Sequence, residues 1–120
     1  MTLRIYLKKE IGENCTSIDD GSKVSQLISP ELVKGLSVEI DFKEVNSVLT
    51  PFLNASFGNL LERFGKEVTM TNVIIRNISD EFLKRINGFI DRKDVELTKS
   101  NEQKMLQEMF DEDDLTDTSL

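Results

Sequence analysis

The segment from residue 36 to residue 65 changes its hydrophobic period once, and this change limits the fold more than any other feature. LSVEIDF, at 36–42, alternates apolar and polar residues, which is typical of a strand. PFLNASFGNLLERFG, at 51–65, repeats its apolar residues at helical spacing and closes with Gly65. The sequence therefore predicts a strand that leads into a helix, with Thr50 as the N-cap and Pro51 as the first helical residue.

The residues before this segment predict a strand and a helix. LRIYLK, at 3–8, places apolar and polar residues on opposite sides, which indicates a strand covered on one face. Val24, Leu27 and Ile28 recur at helical spacing from near Asp20 onward. Because proline removes a helical hydrogen bond, we expect Pro30 to interrupt or kink this helix.

The residues after Gly65 predict a turn, a third strand and two more helices. In NVIIRNI, Ile74 lies opposite Val73 and Ile75, as expected of a strand covered on both sides. Ser79 is a suitable N-cap for a helix that we expect to stop near Asn87–Gly88. Ser100 and Gln103 form a capping-box pattern that predicts a separate amphipathic helix at about 101–110.

The alternation of strands and helices predicts an α/β fold, in which a small sheet of three to four strands is covered by helices. A chain of 120 residues has the length of one domain. We expect an α/β domain at 1–97, a C-terminal amphipathic helix at 98–110 and an acidic, disordered tail at 111–120.

Composition excludes most kinds of active site. The chain has no histidine and a single cysteine, Cys15, so it has no catalytic triad, no usual zinc site and no internal disulfide. Asp41, Glu44 and Thr50 fall near one strand end, where open α/β sheets bind ligands, but they specify no reaction. The position of Asp41 at the end of a buried strand suits contact with a ligand or partner, but we favour bonding to nearby loop amides. We expect no enzyme, no metal and no cofactor.

The negative charge is concentrated at the C-terminus. The net charge is −7, and residues 111–120 hold five acids and no bases, which leaves 15 bases against 17 acids in the rest. A nearly neutral domain has no basic stripe for a phosphate backbone, so nucleic-acid binding is disfavoured. No apolar run approaches the length of a membrane span, and the first ten residues lack a signal-peptide pattern. We expect a cytoplasmic protein.

Three stretches together resemble a known family. LSVEIDF, VNSVLTPFLNASFGNLL and NVIIRNIS are similar to the STAS-like domains of prokaryotic proteins, and the resemblance extends over about residues 3–90. Its signature is a strand ending in Asp-Phe, a short connection, and a helix rich in Phe and Leu that begins at Ser or Thr. These domains are related in fold to anti-sigma-factor antagonists.

The resemblance implies a regulatory or adaptor domain that binds a protein partner, such as a histidine-kinase-like ATPase. In the antagonists, a hydroxyl at the start of this helix is phosphorylated, and Thr50 matches that place. Both roles of Thr50 stay open, as a helix cap and as a phosphate acceptor. The predicted partner-binding residues are Thr50 and the outer face of its helix, Asn54, Ala55, Gly58, Asn59 and Glu62.

A second function stays open alongside this one. The chain would then be a structural or assembly subunit of a larger prokaryotic or phage complex, anchored through its C-terminal helix. The anchor would be the apolar stripe Met105, Leu106, Met109 and Phe110, since methionine-rich stripes suit adaptable binding. Self-association is not excluded by any feature of the sequence.

Overall fold

A three-stranded parallel sheet organises the chain. The computed structural model describes residues 2–117, and the side chains of residues 2–99. The elements in chain order are β1 (Leu3–Tyr6), α1 (Leu7–Glu10), β2 (Asn14–Cys15), α2 (Ile18–Val33), β3 (Val38–Asp41), β4 (Ser47–Val48), α3 (Thr50–Leu53), a π-helical segment (Asn54–Gly58), α4 (Asn59–Asn72), β5 (Val73–Arg76) and α5 (Asp80–Asp117). This mixed α/β architecture, with helices flanking the sheet, confirms the predicted fold class.

The main sheet has the order β1-β3-β5 with every pair parallel. Ile5, Ile40 and Ile75 lie in register across its middle. A separate parallel pair joins β2 to β4. Parallel neighbours need crossover connections, and α2 and the helices from Thr50 to Asn72 supply them.

The two faces of the main sheet differ in polarity. Ile5, Val38 and Ile40 are buried in the hydrophobic core. The opposite face is polar, because Arg4 and Arg76 both form ion pairs with Glu39, at 3.5 and 2.8 Å. Ile74 is in register with Glu39 and is only partly buried, so the expectation that the third strand is covered on both sides is wrong.

Helix α2 continues through Pro30, and the predicted interruption is wrong. Ser17 caps its start, accepting a hydrogen bond from the Asp20 N–H at 3.1 Å. Ile28 and Leu32, on either side of Pro30, are buried at 0% and 4% exposure. Burial of these side chains, worth about 1.5–3 kcal/mol each, offsets the hydrogen bond that proline removes.

The helix that follows Thr50 breaks at Gly65, as predicted. Gly65 has φ 84° and ψ 167°, a conformation that only glycine adopts readily. Residues 66–72 then form a further helical arm, where a turn was predicted. Thr69 is buried in this arm, so packing overrides the low helix propensity of its β-branched residues.

Helix α5 begins as predicted and ends elsewhere. The Ser79 hydroxyl accepts a hydrogen bond from the Phe82 N–H at 3.2 Å, which confirms the cap. The predicted stop at Asn87–Gly88 and the separate start near Ser100 are both wrong, because one helix runs from Asp80 to Asp117. Ile86, Phe89 and Ile90 are buried on both sides of Gly88, and their packing exceeds the helical cost of one glycine, about 1 kcal/mol.

Candidate functional site

Asp41 fixes the carboxyl end of the central strand. Its carboxylate is 3% exposed and accepts hydrogen bonds from the Lys43 N–H at 2.9 Å and from Asn77 Nδ2 at 3.0 and 3.1 Å. Arg4 Nε lies 3.9 Å away. Burial raises the pKa of Asp41, but the hydrogen bonds from Lys43 and Asn77 and the positive charges of Arg4 and Lys43 together lower it. The expected bonding of Asp41 to a loop amide is confirmed.

The connection from Asp41 to Thr50 is held from two sides. The Leu49 N–H donates to the Cys15 carbonyl at 2.9 Å, which extends the β2–β4 pairing. The Arg85 guanidinium, on α5, donates to the Val48 carbonyl at 2.6 Å. The start of the next helix is therefore positioned by both β2 and α5.

Thr50 lies one position further into its helix than predicted. The N-cap residue is Leu49, with φ −115° and ψ 160°, and no side chain caps the helix. Thr50 is the first helical residue, Pro51 the second, and both are exposed. The expectation that Thr50 is the N-cap is wrong, and its hydroxyl is therefore not used to start the helix.

The next residues form a π-helical segment that the sequence analysis did not find. It spans Asn54–Gly58, and the Ser56 hydroxyl donates to the Phe52 carbonyl at 2.7 Å within it. Gly21 of α2 packs here so closely that an added Cβ would lie 2.5 Å from the Phe52 oxygen and 2.8 Å from the Ala55 Cβ. Such segments are frequent at functional sites. The grouping of small residues at 55, 56 and 58 was the available sequence signal.

The predicted partner-binding residues differ in their exposure. Asn54 and Glu62 are exposed, whereas Ala55 and Asn59 are half-buried. Gly58 is buried beneath α5, since a Cβ added there would lie 3.4 Å from Phe89 Cζ. The small residues Ala55 and Gly58 therefore admit α2 and α5 of the same chain, and the predicted outer face is narrower than expected.

Two concavities beside Thr50 share Asn54. A polar notch of about 170 Å³ is lined by Thr50, Asn54, Phe89, Arg92, Lys93 and Glu96. An apolar shelf of about 360 Å³ is lined by Ile18, Pro51, Asn54 and Ala55. Ile18 is 63% exposed, and Leu49 next to Thr50 is 47% exposed.

Helix α5 supplies the positive charge of the polar notch. Lys93 Nζ lies 3.6 Å from a Glu62 carboxylate oxygen, which ties α5 to α4. Arg92 is exposed and forms no ion pair with the side chains of residues 2–99. Sequence reasoning missed both residues, because their place beside Thr50 depends on how a distant helix packs.

The remaining chemical groups do not gather at this site. Cys15 is buried, and burial raises the pKa of its thiol to about 12, so it is an unreactive core residue. Within the described part of the chain, no three carboxylate or cysteine side chains are grouped as metal ligands. No helix among the described residues is both long enough and apolar enough to cross a bilayer.

The predicted C-terminal anchor residues, Met105, Leu106, Met109 and Phe110, have side chains outside the described residues. Their backbone belongs to α5, which continues to Asp117. The division into an anchor at 98–110 and an acidic tail at 111–120 stays a prediction.

Residues 20–83 match a family described as a STAS-like domain of unknown function (DUF4325). The match covers more than half of the 120 residues and includes β3, Thr50, the π-helical segment and β5. It confirms the resemblance drawn from the sequence. No curated protein and no solved structure matches the chain significantly.

Proposed function

Because the chain belongs to this family of STAS-like domains, we propose that it is a non-catalytic regulatory or adaptor domain that binds a protein partner around Thr50. The observation that carries the proposal is the exposure of Thr50 and of its hydroxyl group. It is exposed at the first position of a helix whose next residues, Phe52 and Leu53, are buried, and no capping bond uses its hydroxyl. A packed helix therefore holds this hydroxyl at the surface, where it has no hydrogen-bond partner among the described residues and is accessible to a partner.

The apolar shelf supports contact with a protein. Ile18 and Leu49 are exposed large apolar residues close to Pro51, and such patches with a polar rim are typical of interaction sites. The polar notch provides the rim on the other side of Thr50. The proposed contact surface is therefore the shelf together with the notch, with Asn54 common to both.

The polar notch also supports regulation by phosphorylation of Thr50. A phosphate brings nearly two negative charges, and Arg92 and Lys93 line the same notch as Thr50. Glu96 lines it too and opposes the added charge, so Arg92 is the main candidate to pair with a phosphate. A charged group at the centre of the contact surface would weaken partner binding, because it must lose water there.

The partner that the family resemblance implies is a histidine-kinase-like ATPase, which would both bind this surface and phosphorylate Thr50. The test is affinity capture from cells of the native host with the full chain as bait. Four baits are compared, namely wild type, Thr50→Asp, Ile18→Asp and Thr2→Asp. Thr2 is an exposed threonine before β1 and serves as the matched control.

We expect a partner that the wild type and Thr2→Asp capture equally, and that Thr50→Asp and Ile18→Asp lose. Mass spectrometry of the wild-type bait should then find phosphate on Thr50. If every protein captured by the wild type is also captured by Thr50→Asp and Ile18→Asp, the surface is not the binding site. If a partner is lost by Thr50→Asp and kept by Ile18→Asp, the partner contacts the polar notch and not the apolar shelf.

The second candidate function, an assembly subunit anchored by its C-terminal helix, is favoured by the length of α5. The helix spans 38 residues, and among its described side chains, which end at residue 99, Ile86, Phe89, Ile90 and Leu97 pack on the core. The rest of the helix would carry the anchor Met105, Leu106, Met109 and Phe110. Deletion of residues 98–120 would then abolish capture of the partner, whereas binding at the Thr50 surface would survive it.

A further inference from the structure

A third concavity lies beside α2, away from Thr50. Its volume is about 490 Å³, within the range of small-molecule sites. It is lined by Gln26, Ser29, Pro30, Val33, Lys34 and Arg63, and we name it the α2 groove. All of these except Arg63 follow the three- and four-residue spacing of one helix face. Arg63 is 13 positions after Thr50, or roughly 20 Å along a helix.

Ser29 contributes an unused hydrogen-bonding group to this groove. Its side chain is 5% exposed, and its Oγ is buried without a hydrogen-bond partner among the described residues. Buried hydroxyls are nearly always paired, and those that are not require an explanation.

Two cations and an apolar wall complete the groove. The Arg63 guanidinium lies 5.2 Å from the centre of the Phe64 ring and forms no ion pair with the side chains of residues 2–99. Lys34 pairs with Glu31 at 3.7 Å, but both groups reach solvent, so the pair is weak and Lys34 can exchange partners. Val33 is 68% exposed and extends the apolar surface of Pro30.

We propose that the α2 groove binds a small organic anion, a carboxylate or a phosphate monoester with a short alkyl chain. Arg63 donates two hydrogen bonds to the head group, and Lys34 adds charge. The Ser29 Oγ is sealed from solvent in the unbound chain, so on binding it turns about χ1 toward the groove and its hydroxyl donates to an oxygen of the same head group. The alkyl chain covers Pro30 and Val33. The C-terminal end of α2 disfavours an anion, so binding depends on Arg63 in particular.

The test is a titration of the full, isotope-labelled chain followed by backbone amide NMR. The probes are hexanoate and hexyl phosphate, with hexylammonium as the control of opposite charge, each added to about 10 mM because weak ligands bind in the millimolar range. We expect one or both anions to shift the amide signals of residues 26–29, 31–34 and 63 in a saturable way. Whichever anion binds more tightly identifies the head group.

Variants distinguish a specific binding site from nonspecific electrostatic attraction of anions. Arg63→Gln and Ser29→Ala should each weaken binding, Arg63→Gln by about tenfold or more. Lys84→Gln removes an exposed charge on α5 and should leave it unchanged, as should Thr50→Asp. The proposal is overturned if neither anion shifts these signals, if hexylammonium shifts them equally, or if Arg63→Gln and Ser29→Ala both bind as the wild type does.

Discussion

At the scale of single residues, the hydrogen bonds that the Asp41 carboxylate accepts at the end of β3 stabilise the fold. Its carboxylate accepts bonds from the Lys43 N–H and Asn77. Asp41→Asn replaces one acceptor oxygen with an NH2 group that faces the donors of Asn77 and Arg4, so it buries an unpaired donor and should lower the free energy of unfolding by about 1–3 kcal/mol near neutral pH.

The pH dependence of this effect has a definite sign. The pKa of Asp41 is lowered in the folded chain, so its stabilisation is present above the unfolded pKa of about 3.9 and is lost as pH falls through the folded pKa. In urea unfolding, the gap between wild type and Asp41→Asn should shrink as pH falls below about 4. The exposed carboxylate of Glu67 is the control, and Glu67→Gln should have little effect. A gap that stays constant at acid pH would contradict the assignment.

Two helical glycines should respond oppositely to alanine. A Cβ at Gly21 would meet the backbone oxygen of Phe52 at 2.5 Å, which cannot move without shifting a helix. Gly21→Ala should therefore destabilise the chain by about 1–3 kcal/mol. A Cβ at Gly88 would meet only the end of the flexible Arg92 side chain, at 3.3 Å, so Gly88→Ala should gain up to about 1 kcal/mol. Thermal unfolding of both variants checks this, and a stabilised Gly21→Ala would refute the close packing of α2 on the π-helical segment.

At the scale of elements, the first half of α5 is part of the domain. Ile86 is fully buried, and Arg85 and Lys93 tie the helix to the Val48 carbonyl and to Glu62. Ile86→Ala should cost about 2–5 kcal/mol, because it leaves a cavity in the core. Val95 is 54% exposed on the same helix, and Val95→Ala should change stability by less than about 0.5 kcal/mol. Equal effects of the two changes in urea unfolding would mean that α5 is not docked as described.

The elements that sequence predicts are those with a local signal. The alternation in LSVEIDF, the cap at Ser79 and the break at Gly65 each depend on neighbouring residues, and all were found. The predictions that α2 is interrupted at Pro30 and that α5 ends at Asn87–Gly88 were wrong. Burial of nearby apolar side chains, namely Ile28, Leu32, Ile86 and Phe89, outweighs the cost of these helix-breaking residues. The family signature suggested Thr50 as a candidate, but the notch that Arg92 and Lys93 line beside it depends on packing of residues more than 40 positions away.

At the scale of the whole molecule, a small domain carries one long helix. The described backbone extends 63 Å along its longest axis and 29 by 23 Å across. Among the described side chains of α5, Leu97 is the last that packs on the core, and we expect deletion of residues 98–120 to leave the thermal transition of the domain within a few degrees of the wild type. A large fall in the transition temperature would show that the distal half of α5 belongs to the fold.

The central claim is that the surface at Thr50 binds a partner and responds to charge. Its most direct test is the affinity of the captured partner, measured by calorimetry, for wild type, Thr50→Asp and Thr2→Asp, with circular dichroism confirming that all three are folded. We predict that Thr50→Asp weakens binding by about tenfold or more and that Thr2→Asp does not. Equal affinity of all three chains would contradict the claim and leave Thr50 as the first residue of a helix and nothing more.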